Sequence, residues 1–489
     1  MNNRSKMLLT AAAISTGAAA QAAQQPNLLI IHTDEHNFRT LSCYQRQLAE
    51  DQAFVWGKGV NVDTPHLDRI ADEGAINNRH YCSTAVSTPS RASLITGLYP
   101  QATGAYKNGQ YIREDIPTFA TILRDNGYAT SYVGKWHLAG DEVQYQFGIK
   151  YKAGFEDNTY MMTGGHSPYF QLDESGKMIQ NPDGSYKVTS GGKNLDLSRV
   201  THLTEYFTDR TVDIINRDYK KPFCVVVSIP DPHTPDIAMP PYSTMYDDMK
   251  PTMPRTMQPK YLENLPAWSQ GNKKGAMTKF DPNKLKQYFG MVKQIDDCVG
   301  RMLKALEDKG VLDNTIVIFT SDHGDMFYEH SRMNKGVPYD ASVKIPFIIR
   351  YPKRIKAGTV VNSASVNCDI APTVLSLMGV PYKADIFHGI DISSDLTSRG
   401  KGAATTSRYA MAENNYGSWA LLSDSRYKLI ISSKETPWLI DLEKNPDETV
   451  NYIAEPQHKE MVKAMQTELV ERLQKYKSPH LKSYQLMSF

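Results

Sequence analysis

Residues 27–36 read NLLIIHTDEH, an apolar run that ends directly in charged residues. The apolar part is nearly continuous rather than alternating, which is typical of a central strand of a parallel sheet buried on both faces. The same pattern recurs in FCVVVSI at 223–229 and TIVIFT at 315–320, each followed by polar residues. We therefore predict parallel strands whose carboxyl ends meet at one polar edge.

Helical patterns separate these strands. The clearest runs from Leu285 to Leu306, where apolar residues recur every three or four positions and form one apolar face. Another is predicted over 116–126, before a strand at 129–133. Helices that alternate with short apolar strands predict an α/β fold, with a large, mostly parallel β-sheet flanked by helices over residues 24–380.

From about Pro381 the pattern changes, and we predict a smaller C-terminal α+β subdomain over 381–489. Its last element is an amphipathic helix with Met461, Met465, Leu469 and Leu473 on one face. Before this helix, four short segments predict a small antiparallel sheet: 409–413, 419–423, 427–432 and 438–442.

The segment from about 140 to 200 is different from the rest of the α/β region. It is rich in Gly, Asp, Asn and Tyr and shows little periodicity. Such a composition predicts a long excursion from the core that contributes to a binding surface.

The first 23 residues predict a signal peptide. Arg4 and Lys6 precede an apolar and small-residue run from Met7 to Ala20, and small residues suited to a signal peptidase follow. The run is short for a membrane span, and no later stretch approaches 18 consecutive apolar residues. We expect a secreted protein without a membrane span, with the periplasm as its compartment.

Charge and cysteine content exclude two classes of function. The 489 residues carry a formal net charge of +2, which becomes zero when Arg4 and Lys6 leave with the signal peptide. A neutral chain is not a general electrostatic binder of nucleic acid. The cysteines are odd in number and lack metal-ligand spacing, so no disulfide framework is predicted, although a single bridge stays open. They are Cys43, Cys82, Cys224, Cys298 and Cys368.

Residues 81–100 read YCSTAVSTPSRASLITGLYP and contain the first candidate nucleophile. Pro89 suits the first turn of a helix that Gly97 would close, which places Ser87 just ahead of the helix N-terminus. Backbone N–H groups and the helix dipole favour an anion there, and Arg91 adds a cation one turn further on. A plain helix cap explains the same local pattern equally well, so both interpretations stay open at this point.

Acidic pairs follow two of the predicted strands. Asp34 and Glu35 come after the first strand, and Asp322 and His323 follow the strand at 315–320. Carboxylate oxygens are hard donors that suit calcium or magnesium better than zinc. One acidic pair would be explained by helix capping, but two pairs in equivalent positions favour a divalent cation.

Two histidines and two lysines complete the predicted polar edge. His137 and His233 each follow a strand in a turn and are candidates for an acid, a base or an anion-binding group. Lys135 and Lys335 are candidates for anion binding, although most lysines are solvated surface groups. A lone histidine is usually structural, so the joint arrangement carries the inference.

With these motifs in place, the chain resembles the type I, formylglycine-dependent sulfatases of the alkaline phosphatase superfamily, in their bacterial serine form. The resemblance covers nearly all of the mature chain and is carried by Ser87–Arg91 with Thr96–Gly97, by Gly134–Leu138 and by WLIDL at 438–442. It implies hydrolysis of sulfate esters. The expected substrates are sulfated carbohydrates such as glycosaminoglycan, mucin or algal fragments.

The resemblance also implies a cofactor and a modification. Ser87 corresponds to the residue that is oxidised to formylglycine (3-oxoalanine) by a radical maturation enzyme before folding, and the bound ion is calcium. The implied calcium ligands are Asp34, Glu35, Asp322, His323 and the modified Ser87. The residues implied to hold the formylglycine and the sulfate are Arg91, Lys135, His137, His233 and Lys335.

Within that set the expected roles differ. His233 is the expected general acid on the leaving oxygen, with Lys335 as the alternative donor, and His137 is the expected base during sulfate release. Glu35 stands where the family usually has Asp or Gln, and His323 where it often has Asn.

Four further polar residues are candidates for contacts with the sugar, and plain surface placement explains each of them as well. They are His36, Arg39, His166 and Arg332. Two other functions stay open: a phosphomonoesterase or phosphodiesterase of the same superfamily that uses unmodified Ser87, and a catalytically inactive carbohydrate-binding homologue.

Overall fold

The computed structural model describes residues 25–140, 143–191, 195–263, 265–269, 279–397 and 408–489. The predicted signal peptide at 1–23 lies outside these residues. In chain order the strands are β1 Asn27–Thr33, β2 Ala75–Asn77, β3 His80–Tyr81, β4 Ala129–Lys135, β5 Asp157–Met162, β6 Tyr169–Gln171, β7 Val188–Thr189, β8 Val200–His202, β9 Phe223–Ile229, β10 Thr315–Ser321, β11 Phe347–Arg350, β12 Thr359–Val361, β13 Ser365–Val366, β14 Ala410–Glu413, β15 Trp419–Ser423, β16 Tyr427–Ser432 and β17 Trp438–Asp441.

Helices connect and cover these strands. In chain order they are α1 Ser42–Gln45, α2 Glu50–Ala53, α3 Pro65–Asp72, α4 Ser87–Thr96, α5 Phe119–Asp125, α6 Leu203–Asn216, α7 Pro259–Leu262, α8 Pro282–Asp308, α9 Asp340–Val343, α10 Ile370–Met378, α11 Ser393–Thr397 and α12 Lys459–Lys475. Short 3-10 turns link several of them.

The largest sheet has eight strands in the order β12-β2-β11-β10-β1-β9-β4-β5. Strand β1 lies in its middle, parallel to both β10 and β9, and β4 and β5 continue the parallel pairing. Strand β11 pairs antiparallel with both β10 and β2, so it alone among these eight strands runs in the opposite direction. The mostly parallel sheet predicted from the sequence is confirmed.

Burial on both faces explains why β1 reads as a continuous apolar run. Leu28 and Ile30 pack into the core formed with helices α4, α5 and α10. Leu29 and Ile31 pack into the core on the opposite face, with α3, α6 and α8. All four side chains are fully enclosed, and burial of each stabilises the fold by about 2 kcal/mol.

The C-terminal part forms a four-stranded antiparallel sheet in the order β14-β15-β16-β17, as predicted. Helix α12 contributes Val462, Met465, Leu469 and Leu473 to the core of this sheet, whereas Met461 is half-buried at its margin. The same core includes Tyr81 and other residues that precede α4. The boundary at residues 380 and 381 therefore stays a prediction, because apolar packing is continuous across the two parts.

The segment between 140 and 200 differs from the prediction. It contributes β5 to the edge of the main sheet and then forms a three-stranded sheet in the order β7-β6-β8. Strand β5 has mixed burial along its length, and this mixture at a sheet edge conceals the periodicity. The helix predicted over 116–126 begins later, at Phe119, because Thr118 caps it by accepting a hydrogen bond from the Thr121 N–H at 3.0 Å.

All five cysteines are buried and free. Cys224 on β9 and Cys298 on α8 are enclosed in the interior, as predicted. No helix in the described part of the chain has the combined length and apolarity needed to cross a bilayer.

Candidate active site

Ser87 is the first residue of helix α4, one position further into the helix than the sequence suggested. The first helical hydrogen bond runs from the Ser90 N–H to the Val86 carbonyl at 3.1 Å. All ten residues of α4 are buried, and Gly97 ends the helix in a left-handed conformation with φ of 68°. The helix N-terminus, with its positive dipole end, therefore lies inside the protein at the polar edge of the main sheet.

Arg91 forms hydrogen bonds with residues at the ends of four strands. Its Nε donates to Asp322 Oδ2 and its Nη2 donates to Asp34 Oδ2, both at 3.0 Å. Its Nη1 donates to Ser228 Oγ at 2.6 Å and to the Lys135 carbonyl at 3.1 Å. Arg91 is 2 % exposed, so the carboxylates that follow β1 and β10 are joined to β9 and β4 by one buried guanidinium.

Ser228 and Asn108 are site residues that the sequence analysis missed. Ser228 is the one polar residue within the apolar strand β9, and this interruption was the available signal. Asn108 Oδ1 accepts a hydrogen bond from the Thr88 N–H at 3.1 Å, next to Ser87. Asn108 lies in an irregular loop, where no sequence pattern points to it.

Asp34 is held ionised by its neighbours. Its Oδ2 accepts hydrogen bonds from Lys135 and Arg91. Burial opposes ionisation, but Lys135 and Arg91 outweigh it and hold the pKa of Asp34 well below its usual range. Its other oxygen, Oδ1, is buried and has no hydrogen-bond partner among the described residues.

The Ser87 hydroxyl lies 2.9 Å from Nε2 of His323. Nδ1 of His323 lies 3.1 Å from the Gly324 carbonyl, and a carbonyl can only accept, so Nδ1 carries the proton and Nε2 accepts from Ser87. Burial lowers the pKa of His323, which keeps this imidazole neutral. Nε2 also lies 3.6 Å from Asp322 Oδ1 and 4.0 Å from Asp34 Oδ1.

Glu35 has a left-handed backbone conformation, and its two carboxylate oxygens lie in different environments. Its φ is 63°, a left-handed value that is uncommon outside glycine and frequent at functional sites. Oε2 accepts a hydrogen bond from Lys335 Nζ at 2.8 Å and lies 3.0 Å from His233 Nε2. Oε1 is buried without a partner in the described structure. Burial, and then the nearby Asp325, raise the pKa of Glu35 well above its usual range.

His233 and Lys335 form a polar pair. Their Nε2 and Nζ atoms are 2.8 Å apart, and His233 Nδ1 donates to the Thr234 carbonyl at 2.7 Å. Burial lowers the pKa of His233 to about 2. Burial also opposes the charge on Lys335, but Glu35 and Asp34 outweigh it and raise the pKa of Lys335. In this arrangement Lys335 carries the proton and His233 accepts from it.

His166 and His137 complete the cluster. His166 stacks on His233 with ring centroids 3.7 Å apart, and its Nε2 contacts Lys135 Nζ. His137 has a left-handed φ of 59° and its carbonyl accepts from the Thr88 hydroxyl at 2.9 Å, next to Ser87. Burial, followed by Lys135, lowers the pKa of His137 well below its usual range. Both rings therefore lie in the site as neutral bases.

Two of the other predicted sugar contacts, His36 and Arg39, are enclosed by the protein, which argues against their contact with a sugar. His36 is fully enclosed with its ring edge-on to Phe319, and Arg39 is 3 % exposed and paired with Glu329 at 3.2 Å. Neither side chain presents a face to a ligand. The Arg332 guanidinium donates to the Ser269 carbonyl.

The residues at the strand ends fit a calcium ion. Asp34, Asp322 and His323 are buried and offer ligand atoms that lie within 4.8 Å of one another. Asp34 Oδ1 and Glu35 Oε1 are buried oxygens without partners in the described structure, and burial of an unpaired carboxylate oxygen costs several kcal/mol. Oxygen donors outnumber the one imidazole, which suits calcium or magnesium. Glu35 lies outside this group of three, but its Oε1 has no partner in the described structure, so Glu35 stays a predicted ligand.

The fold and the cluster of buried polar residues agree with the family that the comparisons show. The Sulfatase family model matches residues 26–380, and the model for the C-terminal part of N-sulphoglucosamine sulphohydrolase matches 328–475. The chain belongs to the sulfatase family, whose members are sulfuric ester hydrolases.

Relatives along the whole length agree with this assignment. An N-acetylglucosamine-6-O-sulfatase of Bacteroides thetaiotaomicron is 28% identical, over 97% of this chain and 92% of its own length. An ulvan-active sulfatase of Formosa agariphila is 30% identical, over 76% of this chain and 64% of its own. Among solved structures, a protein in complex with its substrate D-glucosamine-2-N,6-O-disulfate has the same fold, with a TM-score of 0.70, 24% identity and coverage of 93% and 99%.

Proposed function

We propose that this sulfatase removes O-sulfate groups from carbohydrates, with a formylglycine made from Ser87 beside a bound calcium ion. The observation that carries the proposal is the position of Ser87 at the buried start of α4, 2.9 Å from His323 and next to the acids that Arg91 joins. The substrate class rests on the named relatives, which act on N-acetylglucosamine sulfate and on ulvan.

Arg91 acts in this proposal as a positioning residue. Its Nε, Nη1 and Nη2 groups donate to Asp322, Ser228 and Asp34. It neutralises part of the charge of two buried carboxylates and fixes their orientation. The sequence resemblance implied that Arg91 helps to hold the formylglycine and the sulfate, and the hydrogen bonds of Arg91 support a role through Asp34 and Asp322.

The group at position 87 and the ion each supply one element of the chemistry. The hydrated aldehyde offers a hydroxyl for attack on sulfur and a second hydroxyl for later release, and calcium bound by Asp34, Asp322 and His323 supplies charge that lowers the pKa of a hydroxyl. The chain does the rest. His323 Nε2 lies within hydrogen-bonding distance of residue 87, and Lys135 adds a cation at the same edge.

Two further groups are placed for proton transfer. Lys335 Nζ lies 2.8 Å from His233 Nε2, and the proton that this pair shares is proposed to go to the leaving oxygen of the sugar. His137 has a buried Nδ1 without a partner in the described structure, and its backbone contacts Thr88. It is proposed to take the proton that accompanies sulfate release.

Export and maturation are part of the same proposal. Arg4, Lys6 and the apolar run to Ala20 support a cleaved signal peptide and a periplasmic location. A serine at position 87 supports oxidation by a radical maturation enzyme before folding, because the helix that begins there is fully buried once folded.

The test combines a mass measurement with a substrate panel. Trypsin releases residues 80–91, HYCSTAVSTPSR, and in protein from the native host this peptide should be lighter by two hydrogens than the encoded sequence. The matured protein should release sulfate from one or a few members of a panel of sulfated mono- and oligosaccharides. A modified peptide without turnover on any sulfated sugar would remove the carbohydrate assignment.

A phosphate ester hydrolase with unmodified Ser87 is the second candidate. The contact between the Ser87 hydroxyl and His323 Nε2 favours it, because a serine beside a neutral imidazole is a common nucleophile pair. Matched sulfate and phosphate esters of the same alcohol separate the two functions. Faster hydrolysis of the phosphate, by protein with an unmodified peptide, would favour the second.

A further inference from the structure

A small polar cavity lies apart from the cluster around Ser87. Its volume is about 160 Å³, room for about five water molecules. Phe38 and Lys344 lie among its buried lining residues, and Gln47 and Asn362 are exposed at its rim. Its lining residues are different from those that surround Ser87.

Lys344 is the unusual group in this cavity. The residue is 4 % exposed, and its ammonium makes no hydrogen bond or ion pair within the described structure. The Lys344 ammonium lies over the Phe38 ring, with Nζ 4.2 Å from the ring centroid. A cation–π contact stabilises a charge by about 1–2 kcal/mol, which is less than the several kcal/mol that burial of an ammonium costs.

The charged groups around Lys344 are mostly of the same sign. One carboxylate, Asp340, and three cations, Arg79, Arg39 and Lys428, act on it. Burial, which is the largest cause, and the three cations lower the pKa of Lys344 to about 7.

The neighbouring carboxylates are already engaged. Asp340 accepts from the Lys428 ammonium, which also pairs with Glu448 at 2.6 Å, and Arg39 is paired with Glu329. Arg79 Nη1 lies 3.9 Å from Asp340, beyond hydrogen-bonding distance. Each of these carboxylates is therefore paired with another cation, and Lys344 is left without a carboxylate of its own among the described residues.

The size of the cavity suits an oxyanion, because it is larger than a single water or halide requires. Lys344 and Arg79 both line this polar space, and lysine and arginine are the usual donors in sulfate or phosphate recognition.

We propose that this cavity is a second anion site, in which Lys344 and Arg79 bind a small tetrahedral oxyanion. The bound anion pairs with Lys344 and stabilises the packing of Phe38 and α9 around it. The proposal is independent of the reaction at Ser87. Sulfate would be available to the site as the product of that reaction.

The test uses selenate as a heavy-atom substitute for sulfate. Crystals of the full protein soaked in sodium selenate should show anomalous density next to Lys344, separate from any density at Ser87. Lys344→Met, which keeps the side-chain volume, should lose the density in the cavity and keep the one at Ser87. Density at Ser87 alone in the wild-type protein would overturn the proposal.

A second test measures how sulfate changes the unfolding midpoint in solution. Sulfate should raise the unfolding midpoint of the wild-type protein and of Lys353→Met, an exposed control lysine bonded to Asn314. It should do so much less in Lys344→Met, with affinity at the cavity lowered about tenfold or more. Equal effects of sulfate in all three proteins would contradict the proposal.

Further comparisons identify the kind of anion, and a second variant keeps the test valid if Lys344→Met does not fold. Because it removes an unpaired buried charge, Lys344→Met should be at least as stable as wild type in buffer without oxyanions. Arg79→Gln, at the half-buried side of the cavity, should also weaken the sulfate effect if Lys344→Met does not fold. Phosphate should act like sulfate, and acetate at the same ionic strength should act less. An equal effect of acetate would exclude a tetrahedral-oxyanion site.

Discussion

The Ser87 hydroxyl lies 2.9 Å from His323 Nε2, and the Gly324 carbonyl fixes the imidazole in the tautomer that accepts this proton. The unmodified serine is therefore already placed as a nucleophile. A sulfate ester formed on it would have no second hydroxyl to expel the sulfate, so attack would occur once and then stop.

Protein produced without the maturation enzyme should show this single attack. With an activated aryl sulfate we expect at most one equivalent of phenol per chain and a sulfated peptide at residues 80–91, without further turnover. Ser87→Ala should abolish the burst. Ser93→Ala, on the same helix and bonded to Ser83 Oγ at 2.8 Å, should keep it. Steady turnover by unmodified protein would contradict the need for formylglycine.

The pair His233 and Lys335 should matter most for poor leaving groups. His233→Ala and Lys335→Met should each lower kcat/KM for a sulfated sugar by about 100-fold or more, and for an aryl sulfate much less, because a phenolate leaves without protonation. Lys335 Nζ and His233 Nε2 lie 2.8 Å apart and share one proton. The double variant should therefore have a kcat/KM only slightly below that of either single variant. Equal losses on both substrates would rule out the acid role.

Calcium should stabilise the protein as well as activate it. Asp34 and Asp322 are buried, and Asp34 Oδ1 has no hydrogen-bond partner in the described structure. At a concentration 100 times its Kd, calcium should add about 2.7 kcal/mol to the free energy of unfolding. Asp322→Asn should lose most of this gain, whereas Asp313→Asn, at an exposed position beyond the site, should retain it. A calcium effect of equal size in both variants would place the ion elsewhere.

Gly134 should tolerate no side chain, because of how closely β4 approaches β9. A Cβ at this position would lie 2.0 Å from the Ser228 carbonyl oxygen, and φ is 92°. Gly127 has a similar φ of 88°, and a methyl group added there would meet no described atom within 4 Å, so it is a matched control. Gly127→Ala should cost about 1 kcal/mol, and Gly134→Ala several times more or the fold itself. Equal losses in urea unfolding would show that backbone strain alone matters.

Acid should lower the free energy of unfolding, because Asp340 becomes protonated. Burial opposes its ionisation, but Lys428 outweighs it and holds the pKa of Asp340 at about 2. A depressed carboxyl pKa contributes stability that is present above about pH 4 and disappears as the pH falls towards 2, here about 2 kcal/mol. The difference in free energy of unfolding between wild type and Asp340→Asn should therefore shrink by about this amount between about pH 5 and pH 2. Asp125→Asn, at an exposed position, serves as the control variant.

How much the sequence could predict depends on whether a feature is local. The order of strands and helices was predictable, because the runs at 27–33, 223–229 and 315–320 are buried on both faces and admit few polar residues. Polar residues directly after such runs had to lie at one edge of the sheet. Strand β5 could not be predicted, because its partial burial at the sheet edge leaves no period.

The contacts within the site were decided by the tertiary structure. Arg91 donates to Asp34 and Asp322 because folding brings together four strand ends that are distant in the chain. His36 and Arg39 are polar residues close to Asp34 in the chain, yet packing encloses both. The unpaired Lys344 has no sequence signature at all, since its neighbours come from the segments after β1 and β2 and from the C-terminal sheet.

The chemical groups that reach the edge of the sheet can be read from the chain alone, because burial periodicity is a local property. Which of these groups face each other depends on folding, because distances and desolvation arise between segments that are distant in the chain.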